Sequence, residues 1–190
     1  MTAFILGNGL SRKHIDLNQL KLHGSIYGCN ALYREFTPDV LVATDRPIAT
    51  QIQESGYSSK HRFHTRKPIA NLGAKPVPTE YYGNSSGPIA CSLAALDGHK
   101  QIYLLGFDLG ADQNNSFNNI YAGTEFYKAQ GSNPTFTGNW IQQLIKITKD
   151  FPSITFHRVH GDTTAVVDEF QRISNLKVVT IENFSNQFNI

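Results

Sequence analysis

One pattern recurs along the chain: a short, nearly unbroken apolar run ends in glycine or a small polar residue, and a stretch of helical periodicity follows. Phe4-Ile5-Leu6 runs into Gly7, Val40-Leu41-Val42-Ala43 into Thr44-Asp45, and Ile102-Tyr103-Leu104-Leu105 into Gly106. Apolar runs without polar alternation suit strands covered on both faces, as in a parallel sheet. Weaker strand signals lie at Ser25 to Gly28, Arg62 to His64, Ile154 to Arg158 and Lys177 to Ile181. Helical spacing covers Ser11 to Leu20, Pro47 to Ser55, Gly87 to Leu96 and Thr137 to Asp150. In the third of these, Ile89, Leu93 and Leu96 share a face with Ala90 and Ala94, and Asp97-Gly98 supplies a stop. The alternation predicts a single α/β domain over residues 1–190, Rossmann-like, with a mainly parallel doubly wound sheet and helices on both faces. Residues 65–88 and 109–136 read as long irregular loops, and loops of this length in a compact domain are usually functional.

Composition narrows the function classes. The chain has 190 residues and a formal net charge of +2, too little for a nucleic-acid footprint. The local basic run of Lys60, His61, Arg62, His64, Arg66 and Lys67 suits a solvated edge or an acidic ligand. No apolar stretch reaches membrane-spanning length, and Met1 to Gly7 carries no basic n-region, so a cytoplasmic protein is expected. Cys29 and Cys91 lie among apolar neighbours and read as buried free thiols.

Ligands of open α/β sheets bind beyond the carboxyl ends of the strands. Candidate chemistry collects there. Gly7-Asn8-Gly9-Leu10-Ser11 offers a tight turn with free amides, and Ser11 suits a helix cap. Arg12 stands where a dinucleotide fingerprint has its third glycine. Asn30, Asp45 and Asp108 each follow a strand and suit either a ligand contact or a cap. Asn84-Ser85-Ser86-Gly87-Pro88 opens a helix at its positive end, where a phosphate or carboxylate is favoured. His157 and His160 flank Arg158 and suit bases or phosphate donors, or structural histidines. Tyr121 and Tyr127 in the long loop suit closure over a bound base or sugar; Phe117, Phe126 and Phe136 fit simple packing of that loop. No metal-binding motif, hydrolase elbow or Walker loop occurs.

Three segments in order resemble the bacterial sialyltransferases of glycosyltransferase family 42. They are Ile5-Leu6-Gly7-Asn8-Gly9-Leu10-Ser11 with Ile15-Asp16, Tyr27-Gly28-Cys29-Asn30-Ala31-Leu32-Tyr33, and Ser85-Ser86-Gly87 through Leu104-Leu105-Gly106-Phe107-Asp108-Leu109. The Gly-Asn-Gly start and Gly-x-Asp-Leu end are also similar to motility-accessory-factor glycosyltransferases and archaeal-type hydroxymethylpterin diphosphokinases. The family resemblance implies a cytidine nucleotide site, with Asn8, Asn30, Ser86 and Gly87 as contacts and Gly7, Gly9, Ser11, Ser85 and Asp108 framing them. It implies a CMP-activated sugar as co-substrate, no tightly bound cofactor, and a glycan or small-molecule acceptor. Tyr121 and Tyr127 are the counterparts of the family's two tyrosines, which assist phosphate departure. The family's histidine base has no counterpart between Asp108 and Trp140, so His157 or His160 is the expected substitute and binding is expected to outlast catalysis. Leu10 also replaces the proline usual in the first turn. A non-catalytic binding module and a Mg-ATP-dependent pterin diphosphokinase-like enzyme using Asp45 and Asp108 are the competing readings. The oligomeric state is left open, with a homo-oligomer among the options.

Overall fold

The computed structural model describes residues 1–190, which form one eight-stranded, wholly parallel sheet. The strands are β1 (Thr2–Leu6), β2 (Ser25–Cys29), β3 (Val40–Val42), β4 (Phe63–Thr65), β5 (Lys75–Pro76), β6 (Gln101–Leu105), β7 (Thr155–His160) and β8 (Leu176–Thr180). Helices are α1 (Leu17–Lys21), α2 (Arg46–Glu54), α3 (Tyr57–Lys60), α4 (Ser86–Leu96), α5 (Gly138–Asp150) and α6 (Ile181–Phe188). The spatial order β5-β4-β3-β2-β1-β6-β7-β8 means that the chain builds outward from β1, then returns to its other side and builds outward again. The reversal between β1 and β6 opens a crevice at their carboxyl ends, the expected ligand position of a doubly wound sheet.

Strand alternation sends successive side chains to two separate cores. Ala3, Ile5, Cys29, Val42, Ile102, Leu104 and Phe156 meet α4 and α5; Phe4, Leu6, Ile26, Leu41, Phe63, Leu105 and Val159 meet α2 and α6. Both faces are therefore covered, which is why the strands read as continuous apolar runs.

Three expectations about elements are corrected. Ser11 to Leu20 is not one helix: a 3-10 turn at Leu10–Arg12 stops, and Asp16 caps the short α1 by accepting from the Asn18 and Gln19 amides. Ser11 consequently caps nothing. Ile181 leaves the strand and starts α6, because the Thr180 hydroxyl caps the Asn183 amide. The 65–88 loop contains β5 and a 3-10 turn at Thr79–Tyr81, whereas residues 109–136 carry neither helix nor strand.

Candidate functional site

The crevice at the β1/β6 reversal is a cavity of about 420 Å³, within the roughly 300–1,000 Å³ range of small-molecule sites. Its floor is two crossed turns. Gly7 N donates to Leu105 O at 2.8 Å and Gly9 N to Gly106 O at 2.9 Å. A Cβ at Gly7 would stand 2.5 Å from the Gly106 carbonyl oxygen, so only glycine lets the two turns approach this closely.

Some polar groups around the crevice hold the site together, and others are free. Asp108, nearly fully buried, accepts from Ser11 N at 3.0 Å, the Ser11 hydroxyl, Thr163 Oγ1 at 2.6 Å and Thr164 Oγ1 at 3.3 Å. Four donors around one carboxylate make it a clasp between the first turn and residues 161–165. Arg158, 1% exposed, spreads its guanidinium over the Phe107 and Asp108 carbonyls at 2.9–3.0 Å. Burial pulls its pKa down to about 10 while the Asp108 charge opposes the fall.

Ser86 Oγ donates to Asn30 Oδ1 at 2.9 Å and accepts from Thr44 N at 3.0 Å. Its proton being spent on Asn30, the Thr44 hydroxyl donates to it at 3.1 Å. This buried hydroxyl therefore ties β2, β3 and α4 together. Asn30 adopts a left-handed backbone (φ 52°), which asparagine tolerates, and its Nδ2 is left without a partner in the chain.

Other groups around the cavity are likewise unspent. The amides of Ser86 and Gly87, in the first turn of α4, have no acceptor in the chain and point out of a helix N-terminus. Ser85 beside them is held by α5, its Oγ accepting from Trp140 Nε1 at 2.9 Å and its amide donating to Gln143 Oε1 at 2.9 Å. Asn8 Oδ1 is buried with no hydrogen-bond partner. Arg66 and Lys128 also line the cavity but are engaged, Arg66 donating to the Tyr82, Gly83 and Asn84 carbonyls at 2.8–3.4 Å and Lys128 to Asn133 O and Thr135 Oγ1 at 3.3–3.5 Å.

The 109–136 loop forms the roof. Ile120 N bonds Asn8 O at 2.8 Å, Asn118 Oδ1 accepts from Leu10 N at 2.9 Å, and Tyr127 Oη accepts from Asn8 Nδ2 and Ala31 N, each at 3.3 Å. With two N–H groups on its oxygen, the Tyr127 hydroxyl still has its own proton to donate. Burial pushes its pKa up to about 12, which keeps that proton in place at neutral pH.

Of the residues singled out from the sequence, Gly7, Asn8, Gly9, Asn30, Ser85, Ser86, Gly87, Asp108 and Tyr127 line this one cavity. Four do not. Ser11 lies behind Asp108 and borders a second, neighbouring hollow. Tyr121 is buried, its hydroxyl donating to Glu35 Oε1 at 2.5 Å and accepting from Arg12 at 3.4 Å. His157 faces the opposite side of the sheet, stacked on Tyr103 at 4.3 Å and paired with Gln101 Oε1 at 2.7 Å. His160 is on the Arg158 side but outside the cavity, and burial and the Arg158 charge lower its pKa. Arg66 comes from the basic run read as a solvated edge or an acidic-ligand surface, whereas Arg158, Lys128, Thr44 and Trp140 were not singled out from the sequence as parts of the site. Of these four, Arg158 alone left a signal, a cation between Phe156 and Val159 within a strand.

No family model matches the chain, and no curated protein matches it in sequence. Its fold is similar to two solved glycosyltransferases. One is the MAf glycosyltransferase of Magnetospirillum magneticum AMB-1, at 17% identity and a TM-score of 0.57 over 94% of this chain. The chain spans 33% of that protein's length. The other is the sialyltransferase CstII of Campylobacter jejuni, solved in complex with the substrate analogue CMP-3FNeuAc, at 18% identity and a TM-score of 0.51 over 83% of this chain and 79% of that one. The chain thus has a glycosyltransferase-like Rossmann fold, and no helix in it is long and apolar enough to cross a membrane.

Proposed function

We propose that the cavity binds a CMP-activated sugar and that the protein is a glycosyltransferase of the sialyltransferase kind. The observation that carries this reading is the set of unspent groups on a rigid floor: Asn8 Oδ1, Asn30 Nδ2 and the Ser86 and Gly87 amides. An acceptor and a donor side chain complement the edge of a pyrimidine, and paired amides at a helix N-terminus complement a phosphate. The positive charges of Arg66 and Lys128, both bonded to loop oxygens, favour a donor with a second negative group, such as the carboxylate of a sialic acid. The resemblance in Asn8, Asn30 and Ser86-Gly87, and the CMP-sugar analogue bound by the Campylobacter sialyltransferase, make cytidine the base of choice.

The chemistry needs no metal. A protonated Tyr127, oriented by Asn8 and Ala31, donates a hydrogen bond to the phosphate oxygen on which charge grows as the glycosidic bond breaks; the helix N-terminus stabilises the same charge. Asp108 is committed to four protein donors and acts as a brace.

Thermal unfolding with a nucleotide panel tests the reading. CMP at about 100 times its Kd stabilises a bound protein by about 2.7 kcal/mol, a rise of roughly 5–10 °C for a chain this size. The rise is expected with CMP, absent with Mg-ATP, and lost in Asn8→Ala and Asn30→Ala. A flat response to CMP overturns the proposal.

A further inference from the structure

Glycosyl transfer also requires a group that takes the proton of the attacking hydroxyl, and the cavity offers few. Its lining holds two carboxylates, Asp45 and Asp108, and no histidine. Asp108 is saturated by Ser11, Thr163 and Thr164. His157 is engaged by Gln101 on the other face of the sheet, and His160 stands outside the cavity wall.

Asp45 differs from Asp108 on each count. It follows β3 at the cavity mouth, exposed to solvent. It occupies the N-cap of α2, where an aspartate normally accepts from the first-turn amides. Its carboxylate makes no such bond, and no other group in the chain donates to it. An aspartate in a capping position that does not cap keeps both oxygens available to the cavity. It lines the same cavity as the oriented phenol of Tyr127.

We propose that Asp45 is the general base of this protein, accepting the proton of the acceptor hydroxyl as that oxygen attacks the anomeric carbon of the CMP-activated sugar. The inference rests on the donor reading above. The acceptor O–H bond breaks and its proton passes to the Asp45 carboxylate. The oxygen forms the new glycosidic bond while the bond from the anomeric carbon to the phosphate oxygen breaks. The electron pair of that bond leaves with CMP, whose phosphate is hydrogen-bonded by Tyr127. Asp45 then releases its proton to solvent through the exposed mouth.

The test follows CMP release from CMP-N-acetylneuraminate, first with water and then with lactose as acceptor, alongside calorimetry with CMP. Asp45→Asn and Asp45→Ala are expected to lower kcat about 100-fold, with the donor KM, the CMP affinity and the melting temperature unchanged. Sodium formate should restore part of the Asp45→Ala rate by supplying a carboxylate in the vacated space, and none of the Asp45→Asn rate. Unchanged turnover in both variants overturns the proposal, as does a parallel loss of CMP affinity. A wild-type protein that binds CMP but releases none from the donor overturns it too, leaving the binding reading intact. Failure of the wild type to bind CMP removes the reading beneath it.

Discussion

The two ends of the sheet both carry polar clusters, and they differ in what they leave unused. At the amino-terminal end, Tyr27 Oη donates to Asp97 Oδ2 at 2.6 Å and Arg62 grips the same carboxylate with two bonds at 2.7 and 3.1 Å. Arg62 Nε then donates to His64 Nε2 at 3.2 Å, which makes His64 Nδ1 the protonated nitrogen and its bond to Pro76 O at 2.9 Å a donation. Burial raises the Asp97 carboxyl, but its bonds to Arg62 and Tyr27 outweigh that and hold it below the usual range. The cluster spends nearly all its capacity on itself; His99 Nδ1 alone is buried without a partner there. At the carboxyl-terminal end, two braces, Asp108 and Ser86, are equally saturated, and around them Asn8 Oδ1, Asn30 Nδ2 and the α4 amides are left over. Polarity alone does not mark a site. Spare hydrogen-bonding capacity held on a rigid frame does.

The contrast can be broken first at the frame. Arg158→Met strands the buried Phe107 and Asp108 carbonyls, and each buried acceptor left unpaired costs roughly 1–3 kcal/mol. A melting temperature lower by roughly 10 °C and a large loss of CMP affinity are expected in calorimetry; unchanged affinity would show that the Phe107-Asp108 wall is not part of the site. Ser86→Ala leaves the Thr44 amide and Asn30 Oδ1 without their buried partner, for about 1–3 kcal/mol. It should weaken CMP binding about tenfold by releasing Asn30, at a cost in affinity near 1.4 kcal/mol. Asp97→Asn supplies the opposite case. Its pair is about one-third exposed, so the expected loss is only about 1 kcal/mol, with no change in CMP affinity.

Acidification acts on both ends by a smaller effect. Burial lowers the pKa values of His64, His99, His157 and His160 below their ordinary 6.5. The unfolded chain then takes up protons first as pH falls, so the stability contributed by neutral histidines is present above about pH 6.5 and lost below it. Scans from about pH 7 to about pH 5 should show a melting temperature falling by a few degrees, and less in His64→Asn. A rise on acidification would contradict the burial argument.

The strands were legible in the sequence because two-sided burial writes an unbroken apolar run. The floor of the site was legible because close backbone approach demands glycine at Gly7 and Gly9. What escaped was set by single side chains. Asp16 and Thr180 each redirect a segment by capping, Asp16 starting α1 late in the first expected helix and Thr180 starting α6 at the end of a strand. His157 was placed with His160 by proximity in sequence, yet strand alternation turns adjacent positions to opposite faces. Arg158 could not be assigned from neighbours, since the carbonyls it holds are 50 and 51 residues away.

The most direct test is residue-resolved: CMP titrated into isotopically labelled protein and followed by amide chemical shifts. Shifts concentrated at Gly7 to Gly9, Asn30, Ser86 and Gly87, with Arg62, Asp97 and His99 unmoved, are what the account predicts. Shifts centred on the amino-terminal cluster, or no shifts at all, would contradict it.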